Sequence, residues 1–287
     1  MCGVGVEIEF TGVMRSEVVL ALEGLFHTKA SSCVSKTTED NYIFHKIEDE
    51  FGGVWTVKRD RSITPQVYAY KVLSDYVDNK FDVVYLEDNF NERSAYMVEL
   101  VSPVLTSVNI SVLFSVIDVI KSIGGIVNES CGMHIHVDSC SSGSSDVDMD
   151  YLSVLFNKFV VEQERIFKDF KVKENRIERY CKRYDSSVPT CKSFDSVMSF
   201  LNYLYYNQHN GMGELRELRY FALNFYALKQ HGTIEFRFFN STLDKTEVAR
   251  NIDWVLHFAY SFKDYIDYLP VLGSVLLSSS KEGFYVS

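Results

Sequence analysis

Gly132-Met133-His134-Ile135-His136-Val137-Asp138 alternates apolar and polar side chains along its length. Successive side chains of a β-strand point to opposite faces, so His134, His136 and Asp138 share one face while Met133, Ile135 and Val137 share the other. Two more stretches carry the same pattern, Gly5-Val6-Glu7-Ile8-Glu9-Phe10 and Thr233-Ile234-Glu235-Phe236-Arg237-Phe238. Glu7 and Glu9 share a face, as do Glu235 and Arg237, with Val6, Ile8, Phe10, Ile234, Phe236 and Phe238 behind them. Each stretch buries one side against a core and presents two hydrophilic groups on the other. A charge-lined sheet face is costly unless a cation or substrate occupies it. The pattern reads as an enzyme.

The three strands fall at both ends and in the middle of a 287-residue chain. Working outward from them, residues 16–26 carry helical spacing with Ser16 as N-cap, and residues 41–60 read as two extended stretches turning at Gly52-Gly53. Residues 65–80 read as a helix, and residues 96–101 as a strand stopped at Ser102-Pro103, because proline cannot donate to a ladder. Residues 108–123 form an amphipathic helix ending at Gly124-Gly125. The Ser-, Gly- and Asp-rich segment 139–150 reads as an exposed loop, followed by a long helix over 151–170 and another over 193–208. Residues 219–228 and 233–240 read as a hairpin across 229–232, and 246–265 as a closing helix. No linker or repeat interrupts this order, so one domain over residues 1–287 is expected. The order is not regular βαβα, which favours an α+β fold with a mainly antiparallel sheet and helices packed on one face.

Hydrophobic residues make up 46% of the chain, ample for a core. With 29 Lys and Arg against 39 Asp and Glu, the formal net charge is -10, which disfavours general attraction to nucleic acid or anionic membrane. Glu7 and Glu9 arrive too early for a secretory leader, and no apolar run approaches a membrane span, so a cytoplasmic location is expected. The 6 cysteines show no CxxC pair and read as free thiols of a reducing compartment. Cys131, His134, His136 and Cys140 mimic a zinc cluster in spacing, but strand alternation puts Cys131 on the face opposite the histidines.

On the polar faces, Glu7 and Glu9 place like charges about 7 Å apart, an arrangement that a hard divalent cation such as Mg²⁺ or Mn²⁺ would relieve. A solvated strand edge is the alternative. His134 and His136 could ligate metal, contact phosphate or transfer protons. Glu235 adds a carboxylate and Arg237 a planar guanidinium suited to phosphate, unless the two merely form a cross-strand ion pair. Glu99 at a strand end, and Asp60 and Ser62 in a turn, carry little signal individually. Arg176, Arg179 and Arg183 recur at helical spacing, either as a solvated face or as a clamp on nucleotide phosphates.

Taken in order, Gly5 to Phe10, Trp55 with Asp60 and Ser62, Glu99-Leu100-Val101-Ser102-Pro103, Gly132 to Asp138, Arg219-Tyr220 with Asn224, and Gly232 to Arg237 resemble the amidoligase family over roughly residues 3 to 262. That family looks like a compact branch of the glutamine synthetase and glutamate-cysteine ligase superfamily. The resemblance implies an antiparallel sheet curved into a half-barrel, like the glutamine synthetase catalytic domain, with helices on its outer face. It implies ATP and Mg²⁺ (or Mn²⁺) on the concave polar face, where a carboxylate is phosphorylated and the acyl phosphate captured by an amine. Glu7, Glu9, Glu99 and Glu235 match the acidic metal-ligand positions, with His134 as a further ligand and catalytic group. His136, Arg237, Arg176, Arg179 and Asn224 are assigned to ATP and its phosphates, and Arg237 also to catalysis. Asp60 and Ser62 match the turn that helps receive the amine, and the residues from Arg176 to Cys181 resemble the family's Arg-Tyr-Cys segment. The expected partners are small-molecule or peptide carboxylates and amines.

Three other functions fit parts of the pattern. A guanidino-kinase-like phosphotransferase would stop at phosphoryl transfer, a metal hydrolase would use His134 and His136 without ATP, and a nucleotide-binding protein would have lost activity.

Overall fold

A computed structural model of the chain describes residues 3–36, 41–68, 83–85, 90–139, 147–186, 194–209, 214–260 and 266–282. The chain divides into two compact units. One comprises Gly5–Met133, Ser241–Ala249 and Val275–Ser287, and the other Met1–Val4, His134–Asn240 and Arg250–Ser274.

The first unit carries β1 (Val4–Phe10), β2 (Ser31–Lys36), β3 (Asn41–Glu48), β4 (Val54–Lys58) and β7 (Val98–Val101), hydrogen-bonded in the order β2-β3-β4-β7-β1, with Gly132 and Met133 of β8 (Gly132–Asp138) beside β1. The pairings of β2 with β3, β3 with β4, β4 with β7 and β7 with β1 are antiparallel. β5 (Gln66–Tyr68) and β6 (Val83–Tyr85) form a separate two-stranded ladder. Helix α1 (Arg15–Phe26) packs on β3 and β4 and against α2 (Ser111–Ser122). It buries Val18, Val19, Leu22 and Phe26, and the Phe26 and Trp55 rings lie 6.0 Å apart. Trp55 and Val57 therefore point to the helices, and alternation turns Thr56 and Lys58 to the opposite face.

The second unit holds β8, β10 (Thr233–Asn240) and the two-residue β9 (Leu223–Asn224) in the order β8-β10-β9, with β9 and β10 antiparallel. Neither strand run closes into a barrel. Helix α3 (Met149–Asp169) starts at Asp148, whose carboxylate accepts the Tyr151 N–H at 2.9 Å. Phe156 and Phe159 of α3 pack among Tyr184, Phe200, Phe225 and Phe238, while Phe236 and Phe238 meet Trp254 and Phe258. These ring contacts, most of them edge-to-face, form the apolar back of β10, as alternation requires, and leave Glu235 and Arg237 facing the other way. The architecture is α+β with antiparallel strands.

Several expectations need correction. Ser16 is not the cap of α1: the helix begins at Arg15, and the Met14 N–H is satisfied by Glu17 Oε2 at 2.7 Å, one arm of a capping box. Gln66–Tyr68 is a strand rather than the start of a helix, because its backbone pairs with Val83–Tyr85. The rest of that expected helix, residues 69–80, lies outside the described residues, as do 140–146 of the expected loop.

The hairpin over 219–240 has a different connection: residues 215–220 form a 3-10 turn, and a five-residue helix, Ala227–His231, replaces a tight turn. Ala, Leu, Lys and Gln are strong helix formers, and Gly232 at φ 71° ends the helix in the left-handed conformation. The closing helix ends at Ala259, and a further one spans Leu269–Glu282, with Pro270 in its first turn where a missing N–H costs little. Among the described residues no helix is long and apolar enough to cross a membrane.

Candidate functional site

In the first unit the strand register builds a row of charges. Glu9 on β1 is the direct partner of Glu99 on β7, and Glu99 is the direct partner of Lys58 on β4. Directly paired side chains stand on the same face, so two carboxylates and an ammonium are forced together, with Glu7 two residues along from Glu9. Glu9 and Glu99 are each 4% exposed. Lys58 Nζ lies 3.2 Å from Glu99 Oε2 and 3.8 Å from Glu7 Oε1. One carboxylate oxygen of Glu7 and one of Glu99 lie within 4.8 Å of each other. Glu9 Oε2 accepts the backbone N–H of Gly132 at 2.6 Å.

The electrostatics follow from this crowding. Burial and the neighbouring Glu7 charge push the Glu99 carboxyl well above the usual carboxylate range, against the pull of Lys58. For Lys58, burial works against the charged form, but Glu99 and Glu7 outweigh it and hold the ammonium above the ordinary lysine value. Asp60 raises both groups. It sits two residues beyond β4, where its Oδ1 accepts the Ser62 N–H at 2.7 Å, closing the turn over Asp60–Ser62. Glu7 and Glu99 on adjacent strands supply hard oxygen donors of the kind Mg²⁺ or Mn²⁺ takes, close enough to share one ion, and these residues fit such an ion.

In the second unit the hub is Glu235, also 4% exposed. Its register partner on β9 is Asn224, whose Nδ2 donates to Glu235 Oε2 at 2.6 Å. Glu235 Oε1 lies 3.2 Å from His134 Nδ1 and 3.8 Å from His136 Nε2, and it accepts from Arg237 Nη1. Glu235 and Arg237 thus pair along one strand rather than across strands. His136 Nδ1 is 2.9 Å from Thr233 Oγ1.

Behind Arg237, Arg176 is almost wholly buried in the short helix Glu174–Arg179. Its Nη2 reaches the Arg237 carbonyl at 3.4 Å, while its Nε is buried with no hydrogen-bond partner among the described residues. A buried guanidinium with an orphaned donor is costly, and an oxyanion would satisfy it. Arg179 is exposed at the end of the same helix. Arg183 lies beyond it and pairs with Glu164 and Glu174.

Cys181 is buried beside these arginines, and burial pushes its thiol up to about 11 although Arg176 and Arg237 pull the other way. Cys131 packs with Ile63 and Met97, away from the histidine face, as alternation requires. Cys140 lies outside the described residues.

The sequence-predicted residues therefore gather as Glu7, Glu9, Glu99, Asp60 and Ser62 in one unit, and His134, His136, Asn224, Glu235, Arg237 and Arg176 in the other. Lys58 was not singled out by sequence. Its only signal was its place on the polar side of an alternating Val54–Lys58 strand.

The sequence model of a family described as putative amidoligase enzyme matches residues 1–259. No curated protein matches the chain.

Proposed function

The chain belongs to the amidoligase family, and on that premise we propose that it is an ATP-dependent carboxylate–amine ligase that forms an amide through an acyl phosphate. The observation that carries this reading is the crowding of Glu7, Glu9 and Glu99 on one sheet face, Glu9 and Glu99 buried and Glu7 half-buried, with oxygens of Glu7 and Glu99 within 4.8 Å and the Lys58 ammonium 3.2 Å from Glu99. A kinase or a ligase needs such a set, because polyphosphate and a substrate carboxylate bring only negative charge. Glu7, Glu9 and Glu99 of one cluster, and Glu235 with His134 of the other, serve as ligands for Mg²⁺ or Mn²⁺. When bound, the ion offsets the charge of the transferring phosphoryl group.

Arg237 and the buried Arg176, whose Nε lacks a partner among the described residues, grip phosphate oxygens, with His136 and Asn224 at the same nucleotide site and Arg179 at its outer edge. Asn224 holds the Glu235 carboxylate in place by a hydrogen bond, and His134 stands 3.2 Å from its other oxygen. Asp60, with Ser62 fixing its turn, accepts a proton from the incoming ammonium and frees the amine. The substrates are a small-molecule or peptide carboxylate and an amine.

The engagement of His134 with Glu235 at 3.2 Å favours this reading over a hydrolase in which His134 acts directly on substrate. Incubation of the purified protein with ATP, Mg²⁺ and mixed carboxylates and amines, followed by mass spectrometry, tests it. Amide, ADP and phosphate in equal amounts are expected. A phosphorylated product that forms without amine would replace the ligase with a phosphotransferase, and ATP-independent cleavage of amides or esters would replace it with a hydrolase.

A further inference from the structure

Lys58 ends β4 directly opposite Glu99, which is itself opposite Glu9. Its ammonium stands 3.2 Å from Glu99 and 3.8 Å from Glu7, between carboxylates whose oxygens lie within 4.8 Å of each other. Oxygens at that separation can share a single cation, and the ammonium stands where that cation would bind. A divalent ion and Lys58 cannot both sit there, because like charges a few ångströms apart repel strongly in a partly desolvated site. The two acidic side chains are fixed by register, and Glu99 is enclosed. Lys58 is the partner able to leave: its four-carbon stem is flexible and its side chain is 30% exposed.

We infer that Lys58 is an internal counter-cation that competes with the divalent metal, holding Glu7 and Glu99 together until the metal enters and displaces it. The inference rests on the proposed reading of Glu7 and Glu99 as metal ligands. It accounts for three neighbouring carboxylates being tolerated on one sheet face, since a lysine neutralises part of their charge during folding. It also makes metal affinity a competition, lowered by the fraction of molecules in which Lys58 occupies the site.

The test uses the full chain, Mn²⁺ as probe and electron paramagnetic resonance to count free ion. Lys58→Gln is expected to bind Mn²⁺ about tenfold more tightly than wild type, because the competing state is gone. Without metal its Tm should fall, and saturating Mn²⁺ should restore it. In the wild-type protein, Lys58 should react faster with an amine-acylating reagent when Mn²⁺ is saturating, read by peptide mass spectrometry. This arm decides the matter even if Lys58→Gln fails to fold.

Unchanged or weaker Mn²⁺ binding by the variant, or Lys58 labelling that Mn²⁺ leaves unchanged or slows, overturns the inference. Equal Mn²⁺ binding in both proteins, abolished in each by Glu99→Gln, would retire the role of Lys58 while leaving the metal site standing. Absence of Mn²⁺ binding in both would remove the metal site and this inference together.

Discussion

Asn224 and Glu235 stand directly opposite each other on β9 and β10, and the Asn224 carboxamide donates to the Glu235 carboxylate at 2.6 Å. The pair is almost fully buried, so no water can replace the lost donor cheaply. Asn224→Ala should destabilise the fold by about 1–3 kcal/mol, the cost of leaving a buried acceptor unsatisfied. Asn224→Asp sets two carboxylates face to face and should be worse at neutral pH. Urea denaturation at two pH values checks this, because acidification that protonates the new aspartate should close the gap between the variants. A gap that stays constant with pH would show that Glu235 is not held by charge and hydrogen bonding as described.

Asp49 organises the turn between β3 and β4 without touching the candidate site. Its Oδ1 accepts the N–H groups of Phe51 and Gly53 at 2.9 and 2.8 Å, and its Oδ2 accepts Trp55 Nε1 at 2.8 Å. A Cβ on Gly53 would fall 2.7 Å from Pro103 Cγ and 2.8 Å from Asp49 Oδ2, so even alanine crowds this turn. Asp49→Ala should cost about 3 kcal/mol or more, since three donors lose one buried acceptor. Thermal melts should show a clear drop for Asp49→Ala and Gly53→Ala alike, with Mn²⁺ binding by the folded fraction unchanged. Loss of metal binding in the folded fraction would tie the turn to the site.

The strands that bear the chemistry were legible because a period of two is a local property. Glu7 with Glu9, His134 with His136, and Glu235 with Arg237 needed no knowledge of the neighbouring strands. Register was not legible, and register is what made the site. That Glu9, Glu99 and Lys58 form one row depends on how β1, β7 and β4 slide against each other, which no single stretch encodes.

A lysine at a strand end reads as solvated, so Lys58 passed unnoticed. Gln66–Tyr68 reads as helix in the sequence because three residues carry too little periodicity to outweigh the expectation set by their neighbours. Arg176 and Arg179 looked equivalent by spacing. A six-residue helix turns one into the interior and the other out, and only packing shows which.

Cys181 offers a pH test of the buried arginine environment. Burial holds its thiol at about 11, against the ordinary value of 9.0. The folded state thus keeps a proton that the unfolded chain releases at lower pH. Its stabilising contribution is complete below pH 9 and is lost as pH rises through 11, amounting to about 3 kcal/mol across that window. Denaturation of wild type and Cys181→Ala at pH 8 and pH 11 should show the wild type losing more stability over the interval. Alkylation mapped by mass spectrometry should leave Cys181 unmodified in native protein at pH 8.5 while the half-buried Cys33 reacts. Equal reactivity of the two thiols would contradict the enclosed environment described for Cys181.

The two sets of residues also predict a division of labour that mutation can separate. Asp60 lies in the turn after Lys58, whereas Arg237 is paired with Glu235 and backed by Arg176; the proposed roles are amine capture for the first and phosphate binding for the second. If those roles are right, Asp60→Asn keeps nucleotide binding and much of the carboxylate-dependent ADP release but loses most amide formation, because the ammonium is no longer deprotonated. Arg237→Ala loses both outputs, by a factor of about 10² or more, since the developing phosphoryl charge is left uncompensated. Conservative Arg237→Lys should recover little, because a point charge cannot reproduce the planar fork. ADP release and amide product measured in parallel decide the matter. Equal loss of both outputs in Asp60→Asn would mean that this turn shapes the phosphorylation step as well, and its assignment to the amine would have to be withdrawn.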